Sequence, residues 1–215
     1  MCIRDSGNIQ LERKHFNLLE LLHNTNEITR MQANEAGVNY YVEDGEIIHT
    51  QLIGSPVHFQ QTLMNIGSNA VKYNHDGGSV TVTCREVSYT DTTAEYELTC
   101  TDTGIGMSEE FQKRAFEPFA QEGQSARTKY AGTGLGLAIS RKLIELQGGT
   151  LFFESIQGKG TKFILHISFE ISAEEQEKKS HMYQNCSVEG IQVLLVEDNE
   201  LNLSLIHISE PTRPY

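Results

Sequence analysis

Apolar positions recur along the chain with two periods, and each period predicts a type of element. In residues 17–35 and 57–73 they recur every three or four positions, which is typical of helices with one buried side. In residues 79–88 and 94–100 they alternate with polar positions, and the segment 89–93 between these runs is typical of a turn. The two alternating runs therefore predict a β-hairpin.

The same pattern predicts further elements. A strand is expected in 37–44 and a second short extended piece in 47–56, whereas residues 7–15 fit either a helix tail or a strand. A helix over about 136–147 ends at two glycines, which are favoured just past a helix terminus. A second hairpin is expected from 150–155 and 161–169.

The predicted buried faces follow from the two periods. The first helix would bury Leu18, Leu21, Leu22, Ile28 and Met31. The first hairpin would bury Val80, Val82, Cys84, Tyr96, Leu98 and Cys100. Cys84 and Cys100 could face each other across that hairpin, so a disulfide is an alternative to two free thiols. Cysteine is sparse and has no metal-ligand spacing, which favours reduced thiols in a cytosolic compartment.

Both ends of the chain are explained by one DNA segment. MCIRDS at 1–6 is encoded by ATGTGTATAAGAGACAG plus one base, and the reverse complement reads LSLIHI, which stands at 203–208. This looks like a translated sequencing adapter that continues to residue 215, although a short apolar strand is the alternative. We exclude 1–6 and 203–215 from fold reasoning and expect the remainder to be an internal fragment of a longer protein.

The charge of the chain excludes some partners. The net charge is −12, and the charges in the two excluded ends cancel. An acidic chain without a basic run is poorly suited to binding nucleic acid or an anionic membrane. No run of about 18 apolar residues is present, so no segment is expected to span a bilayer. The remaining length suits one domain with parts of its neighbours.

The second helix carries two amides and an ammonium on one stripe. At about 100° per residue, Asn65, Asn69 and Lys72 lie within roughly 60° of one another, on a different side from the apolar residues. Amide oxygens suit a hard cation such as Mg²⁺, and a lysine suits phosphate. A capped amphipathic helix would show the same pattern, so other segments must decide.

A run of glycines precedes the helix at 136–147. Gly132, Gly134 and Gly136 would let backbone N–H groups and the positive end of that helix approach an anion. Their spacing is neither that of a Rossmann fingerprint nor that of a Walker loop. The run therefore predicts a phosphate site of another type.

A second glycine-containing segment follows a predicted strand. Asp102 could accept a hydrogen bond from an exocyclic amine such as that of adenine, and Gly104 and Gly106 would let a base lie against backbone. Taken alone, this pattern is more often a tight turn. Together with the amide stripe and the later glycines, in this order, it favours a nucleotide site.

Five segments in this order resemble a known family. NIGSNAVKYN resembles the N box, DTGIGM the first glycine box, FEPFAQ the F box, GTGLGLAIS the second glycine box and GKGTKF the closing hairpin turn. Over about residues 7–170 the chain is similar to the catalytic ATP-binding domain of sensor histidine kinases, in the superfamily shared with gyrase, the ninety-kilodalton heat-shock chaperone and the mismatch-repair ATPase. The resemblance implies an α/β two-layer sandwich (α+β) of the Bergerat type. Its mixed β-sheet would be covered on one face by helices, and ATP would lie between helices and a mobile lid.

The resemblance implies roles for the residues of the second helix and of the first glycine box. Asn69 would coordinate Mg²⁺, Asn65 would support the metal and phosphates, and Lys72 would contact a phosphate. Tyr73 would pack near the adenine, and Asp102 would hold its amine directly and through water. Gly104 and Gly106 would shape the floor of the base site.

The resemblance also implies a lid over about residues 108–131. Phe116 and Phe119 would anchor this lid, although ordinary core packing explains them equally well. Arg127 or Lys129 would reach the γ-phosphate. The phosphates would be surrounded by Gly132, Thr133, Gly134, Leu135, Gly136 and Leu137.

The stripe distinguishes a kinase from a hydrolase. In the superfamily's ATPases a glutamate four residues before the metal-binding asparagine activates water, whereas this chain has Asn65 there, and an amide cannot take a proton at neutral pH. Asn65 and Lys72 are therefore the expected catalytic residues of a site that holds ATP until a histidine is brought in line. None of the eight histidines has the family's His-Glu-x-Arg-Thr-Pro context. The acceptor helix hairpin is expected before residue 7, residues 7–15 resemble the stretch that follows it, and this chain should not phosphorylate itself.

The segment 190–202 resembles the first strand of a receiver domain. Glu197 and Asp198 would be its acidic Mg²⁺ pair, although a plain buried strand with a charged end is the alternative. The expected order is a catalytic domain at 16–170, a polar linker at 171–189 and then this truncated receiver. The parent would be a cytoplasmic or inner-membrane hybrid kinase, homodimeric through its helices. The alternatives are an ATPase or chaperone-type member of the superfamily, and an interaction module that binds no nucleotide.

Overall fold

The computed structural model describes residues 10–122 and 133–173 of the chain. The adapter-like ends, the receiver strand and most of the linker lie outside these ranges. What the sequence predicts for them stays a prediction.

Four helices lie within the described ranges; three are close to their predicted positions, and the short third one falls in the predicted lid and was not expected. They are α1 (Leu18–Glu35), α2 (Pro56–Lys72), α3 (Glu109–Gln112) and α4 (Gly136–Leu146). The side chain of Asn17 caps α1 by accepting the N–H of Glu20 at 3.0 Å. Pro56 begins α2, where its missing N–H costs nothing.

Seven strands of the described residues form one mixed sheet. They are β1 (Lys14–Asn17), β2 (Asn39–Asp44), β3 (Gln51–Gly54), β4 (Ser79–Tyr89), β5 (Thr93–Asp102), β6 (Thr150–Ile156) and β7 (Gly160–Ile171). The order is β1-β3-β7-β5-β4-β2, and β6 also pairs with β7. The β2–β4 pair is parallel and the others are antiparallel.

Helices and sheet share one apolar core, which makes the domain the expected two-layer sandwich. Along β5 the residues Ala94, Tyr96, Leu98 and Cys100 are buried, and the side chains between them are half-buried. The buried set packs with Phe59 of α2 and with residues of α1 and α4 in a single cluster. This alternation is the signature of a sheet with one covered face.

The buried face of α1 differs from the predicted one. Ile28 and Met31 are 42 % and 65 % exposed, while Thr25, Thr29 and Ala33 are buried. Thr25 and Thr29 can be buried because each hydroxyl donates to the carbonyl four residues earlier, at 2.7 and 3.0 Å. The prediction is confirmed for Leu18, Leu21 and Leu22 and is wrong for Ile28 and Met31, because it counted only apolar side chains.

The two described cysteines are free. Cys84 lies opposite Leu98, and Cys100 lies opposite Val82, so the two thiols are in different cross-strand pairs, with the Thr83–Thr99 pair between them. Burial raises the pKa of each thiol to about 12, which keeps both protonated. The disulfide alternative is therefore wrong.

The first strand begins earlier than the expected start of the domain at residue 16. Lys14 and His15 pair with Gly54 and Ile53 of β3. Residues 7–15 resemble the stretch that follows the acceptor helices, and the last two of them are thus part of the sheet.

Candidate functional site

A cavity of about 330 Å³ lies between α2, the segment that follows β5 and the beginning of α4. Small-molecule sites commonly have volumes of roughly 300–1,000 Å³. The cavity is lined by ten of the residues that the sequence singles out: Asn65, Asn69, Lys72, Tyr73, Asp102, Gly106, Thr133, Gly134, Gly136 and Leu137. Segments far apart in the chain therefore converge on one hollow.

Two other candidates among the described residues are not part of the lining. Gly104 packs against the carbonyl of Tyr73, and Leu135 is the residue before α4. Five candidates lie outside the described residues: Arg127, Lys129, Gly132, Glu197 and Asp198.

Asp102 is a buried carboxylate at the end of β5. It is 7 % exposed, and its Oδ1 accepts the N–H groups of Gly104 at 2.8 Å and Thr161 at 3.3 Å. Burial raises the pKa of Asp102 to about 6, and these two hydrogen bonds limit the rise. Both bonds go to Oδ1, so Oδ2 keeps its capacity to accept a donor from a molecule in the cavity.

The loop after Asp102 is held against the end of α2 through its backbone. Ile105 donates its N–H to the carbonyl of Tyr73 at 3.0 Å. A Cβ on Gly104 would come within 2.3 Å of that same carbonyl oxygen, so only glycine fits. Gly104 thus brings the loop to the helix, and Gly106, at φ +61°, lines the cavity itself.

Asn65 is tied to α4 on the opposite side of the cavity. Its Nδ2 donates to Ser140 Oγ at 2.9 Å. A Cβ on Gly136, the first residue of α4, would come within 2.2 Å of Asn65 Oδ1, so a larger residue there would displace the Asn65 amide. The glycine provides space for an amide here, in addition to any role toward phosphate.

Lys72 ends α2 and lies over its neighbour. Its Nζ is 5.2 Å from the ring centroid of Tyr73, a cation–π arrangement. Both residues line the cavity with Asn69, which lies one turn earlier on the helix. The ammonium is the positive charge among the described lining residues, and it is on the same stripe as the two amides.

Phe116 and Phe119 have different environments. The Phe116 ring packs 5.4 Å from that of Phe153, and the Arg141 guanidinium lies 4.8 Å from its centroid. Phe119 is 70 % exposed with φ +63°. Only Phe116 has the environment of an anchor, so the expectation for Phe119 is wrong. The backbone of Phe119 instead packs against Gly134, where a Cβ would come within 2.7 Å.

Three contributors were missed as site residues in the sequence. Thr161 lines the cavity and bonds to Asp102, and its place in the GKGTKF turn was the available signal. Glu122 lines the cavity and accepts the N–H of Ser108 at 2.8 Å. Ser140 carries no signal of its own, because a serine in an amphipathic helix has many explanations.

The donor set suits a metal only together with a polyphosphate. Within residues 10–122 and 133–173, no cluster of three or more His, Cys, Asp or Glu could hold a metal ion. Asn65 and Asn69 offer amide oxygens, which hard cations accept, but two such ligands leave most positions open. Phosphate oxygens and water would fill them, so the residues fit a magnesium nucleotide and not a metal bound alone.

The sandwich and its cavity define a class of protein, the nucleotide-binding two-layer α/β domains. A comparison with family profiles identifies which one: "Histidine kinase-, DNA gyrase B-, and HSP90-like ATPase" matches residues 54–171, more than half of the chain. The chain belongs to this family.

Curated relatives agree. The chain is 34% identical over 191 residues to the sensor histidine kinase AruS of Pseudomonas aeruginosa, which covers 89% of this chain and 19% of AruS. It is 31% identical over 202 residues to the autoinducer 2 sensor kinase/phosphatase LuxQ of Vibrio cholerae, covering 92% of this chain and 23% of LuxQ. The chain thus spans less than a quarter of these relatives.

Solved structures show the same fold. Full-length ShkA in complex with AMPPNP superposes with a TM-score of 0.62 at 26% identity, over 78% of this chain and 33% of ShkA. The catalytic domain of the histidine kinase ThkA superposes with a TM-score of 0.60 at 25% identity, over 76% of this chain and 99% of that domain.

Proposed function

We propose that this domain binds Mg-ATP in the described cavity and presents the γ-phosphoryl group to a histidine on a helix hairpin of the parent kinase. One observation carries the proposal: a buried carboxylate, two amides and an ammonium surround one hollow of suitable volume. The bound AMPPNP of ShkA is an ATP analogue, which supports the same ligand here.

The proposed roles follow from the chemistry of each group. Asp102 Oδ2 would accept the adenine amine and so select adenine over guanine, which presents a carbonyl at that position. Asn69 and Asn65 would direct amide oxygens toward Mg²⁺, and Lys72 would contact a phosphate. When bound, Mg²⁺ would neutralise phosphate charge.

The asparagine at position 65 would explain why the proposed kinase binds ATP without hydrolysing it. An amide cannot accept a proton from water at neutral pH, so the site lacks a general base at this position. ATP would then persist until an acceptor histidine arrives, and positioning with charge neutralisation would supply the rate.

We further propose a hybrid parent. The segment from 190 onward would start a receiver domain with Glu197 and Asp198 as its Mg²⁺ pair, and the parent would dimerise through the acceptor helices. Within the described ranges no helix has the length and apolar character needed to cross a bilayer. Separately, the sparse, free cysteines support our proposal of a cytoplasmic location for this domain, and the acidic net charge is the reason that no nucleic-acid partner is expected.

Calorimetric titration of the 215-residue chain with Mg-ATP, followed by a hydrolysis assay, tests the function. We expect saturable binding with no sustained release of phosphate. Turnover that is lost in Asn65→Ala would instead support an ATPase. The absence of any binding heat would support an interaction module. Glu97→Gln, a change on β5 outside the cavity lining, is the matched control and should bind as the unchanged chain does.

A further inference from the structure

Ser140 is a buried hydroxyl that reaches the site only through another side chain. It lies on α4, is 2 % exposed and is not among the residues that line the cavity. Its Oγ accepts Nδ2–H of Asn65 at 2.9 Å. Asn65 does line the cavity, so any effect of Ser140 on a ligand passes through this amide.

The hydrogen bond determines which end of the amide faces which neighbour. With Nδ2 turned to Ser140, Oδ1 lies beside Gly136 at the beginning of α4. Gly136 also lines the cavity. A 180° rotation of the amide would place its NH₂ beside Gly136. It would also bring Asn65 Oδ1 to Ser140 Oγ, a contact between two oxygens that is favourable only when the hydroxyl donates.

The orientation of an amide decides which partner it can bind. Its oxygen is a ligand for hard cations, whereas its NH₂ is only a donor and presents partial positive charge to them. We propose that Ser140 is a positioning residue that keeps the Asn65 oxygen available to the metal–triphosphate part of the nucleotide. This inference deepens the proposed function and rests on it.

A measurement on the nucleotide-free chain tests the contact itself. In ¹⁵N-labelled protein, Ser140→Ala should shift the Asn65 side-chain amide signals and increase their exchange with solvent at least severalfold. Thr62→Val is the matched control, because Thr62 is a fully buried hydroxyl on α2 that bonds only to His58 O at 3.1 Å. Unchanged Asn65 signals in Ser140→Ala would overturn the proposal whatever the nucleotide does.

Titrations with Mg-ATP and with ATP in chelator test the function of the contact. Ser140→Ala should weaken Mg-ATP binding about 5- to 10-fold, roughly the worth of one hydrogen bond, and metal-free ATP binding less than twofold. Ser140→Cys, which keeps the size but is a weak acceptor, should behave in the same way and guards against a packing defect. Thr62→Val should change neither affinity.

A double-mutant cycle separates positioning from general packing. In an Asn65→Ala background, Ser140→Ala should have no further effect on Mg-ATP affinity, because the residue it positions is gone. Additive losses, or equal losses with and without metal, would overturn the proposal. If the unchanged chain fails to bind Mg-ATP, the proposed function fails, and the Asn65 amide signals still decide whether Ser140 holds that side chain.

Discussion

Asp102 lies where its charge is disfavoured. An ordinary aspartate has a pKa of 3.8, and burial raises that of Asp102 to about 6. The folded chain therefore binds this proton more tightly than the unfolded chain does. Above pH 6 the ionised carboxylate lowers the free energy of unfolding. This loss becomes smaller as the pH falls below about 6, and it is gone below pH 3.8, where the carboxyl group is protonated in both states. The difference between the two pKa values corresponds to about 3 kcal/mol in the free energy of unfolding. Such a cost is typical of a group retained for binding.

The pKa of Asp102 predicts how ATP affinity depends on pH. Because the ionised form would accept the adenine amine, affinity should fall about tenfold between pH 7 and pH 5. The phosphates of ATP also titrate in this range, so the useful quantity is the affinity of the unchanged chain divided by that of Asp102→Asn. Calorimetric titrations at half-unit steps should show this ratio falling with a midpoint near pH 6.

The asparagine variant is a suitable reference. Its amide oxygen can still accept the N–H of Gly104, and it does not ionise. It should bind ATP more weakly than the unchanged chain at pH 7. A ratio that stays constant from pH 7 to pH 5 would contradict a role of the ionised carboxylate.

Single residues were predictable where their chemistry is unusual for their context. The pattern of Asn65 and Asn69 on one helix is unusual in a sequence, and so is Asp102 directly before a glycine-containing segment. All three residues line the cavity. Ser140 and the exposed side chain of Phe119 could not be predicted, because their environments depend on which distant backbone packs beside them.

At the scale of elements, α2 and α4 meet at a glycine and an amide. Gly136 has no positive φ in this structure, so its backbone would accept alanine. The obstacle is the side chain of Asn65, 2.2 Å from the position of the added Cβ. The glycine therefore leaves space for the Asn65 amide between the two helices, and the conformation of its own backbone does not call for glycine.

Gly136→Ala should lower Mg-ATP affinity at least tenfold, because Asn65 must move away from the cavity. Calorimetry measures the affinity, and thermal unfolding checks that the domain remains folded. Gly67→Ala is the matched control, since Gly67 lies on the same helix as Asn65 but does not line the cavity, and a Cβ there would come within 2.9 Å of Thr29 Cγ2. It should reduce stability and leave affinity within about twofold. Equal losses of affinity in both variants would refute the explanation.

The elements themselves were largely predictable, since both periodicities survive in the fold. The buried face of α1 was not predictable in this way. The hydroxyls of Thr25 and Thr29 form hydrogen bonds within the helix, so these residues are buried although a count of apolar residues predicts them to be exposed. Local hydrogen bonds allow polar side chains to be buried, and the positions of apolar residues in the sequence do not reveal these bonds.

At the scale of the whole molecule, the order of strands depends on long-range pairing. β7 lies between β3 and β5 and also pairs with β6, a set of neighbours that no local pattern specifies. The family resemblance supplied the fold class, and the order β1-β3-β7-β5-β4-β2 required the structure.

The chain should bind ATP without labelling itself. None of the six histidines in the described residues lines the cavity, and His49 is buried against Glu86 at 2.7 Å. After incubation with Mg-ATP carrying a labelled γ-phosphate, no acid-labile, alkali-stable label should appear on the chain. Such a label would show that one of its own histidines is an acceptor.

The contact of Ile105 N–H with the Tyr73 carbonyl has a consequence for altering this site. It joins the loop after Asp102 to the end of α2 through main-chain atoms, so the separation of these two walls of the hollow does not depend on any side chain. Exchanging side chains can change the polarity of the hollow, but it leaves that separation unchanged. Accepting a bulkier ligand between the two walls would require a change of the main chain around Tyr73 or Ile105.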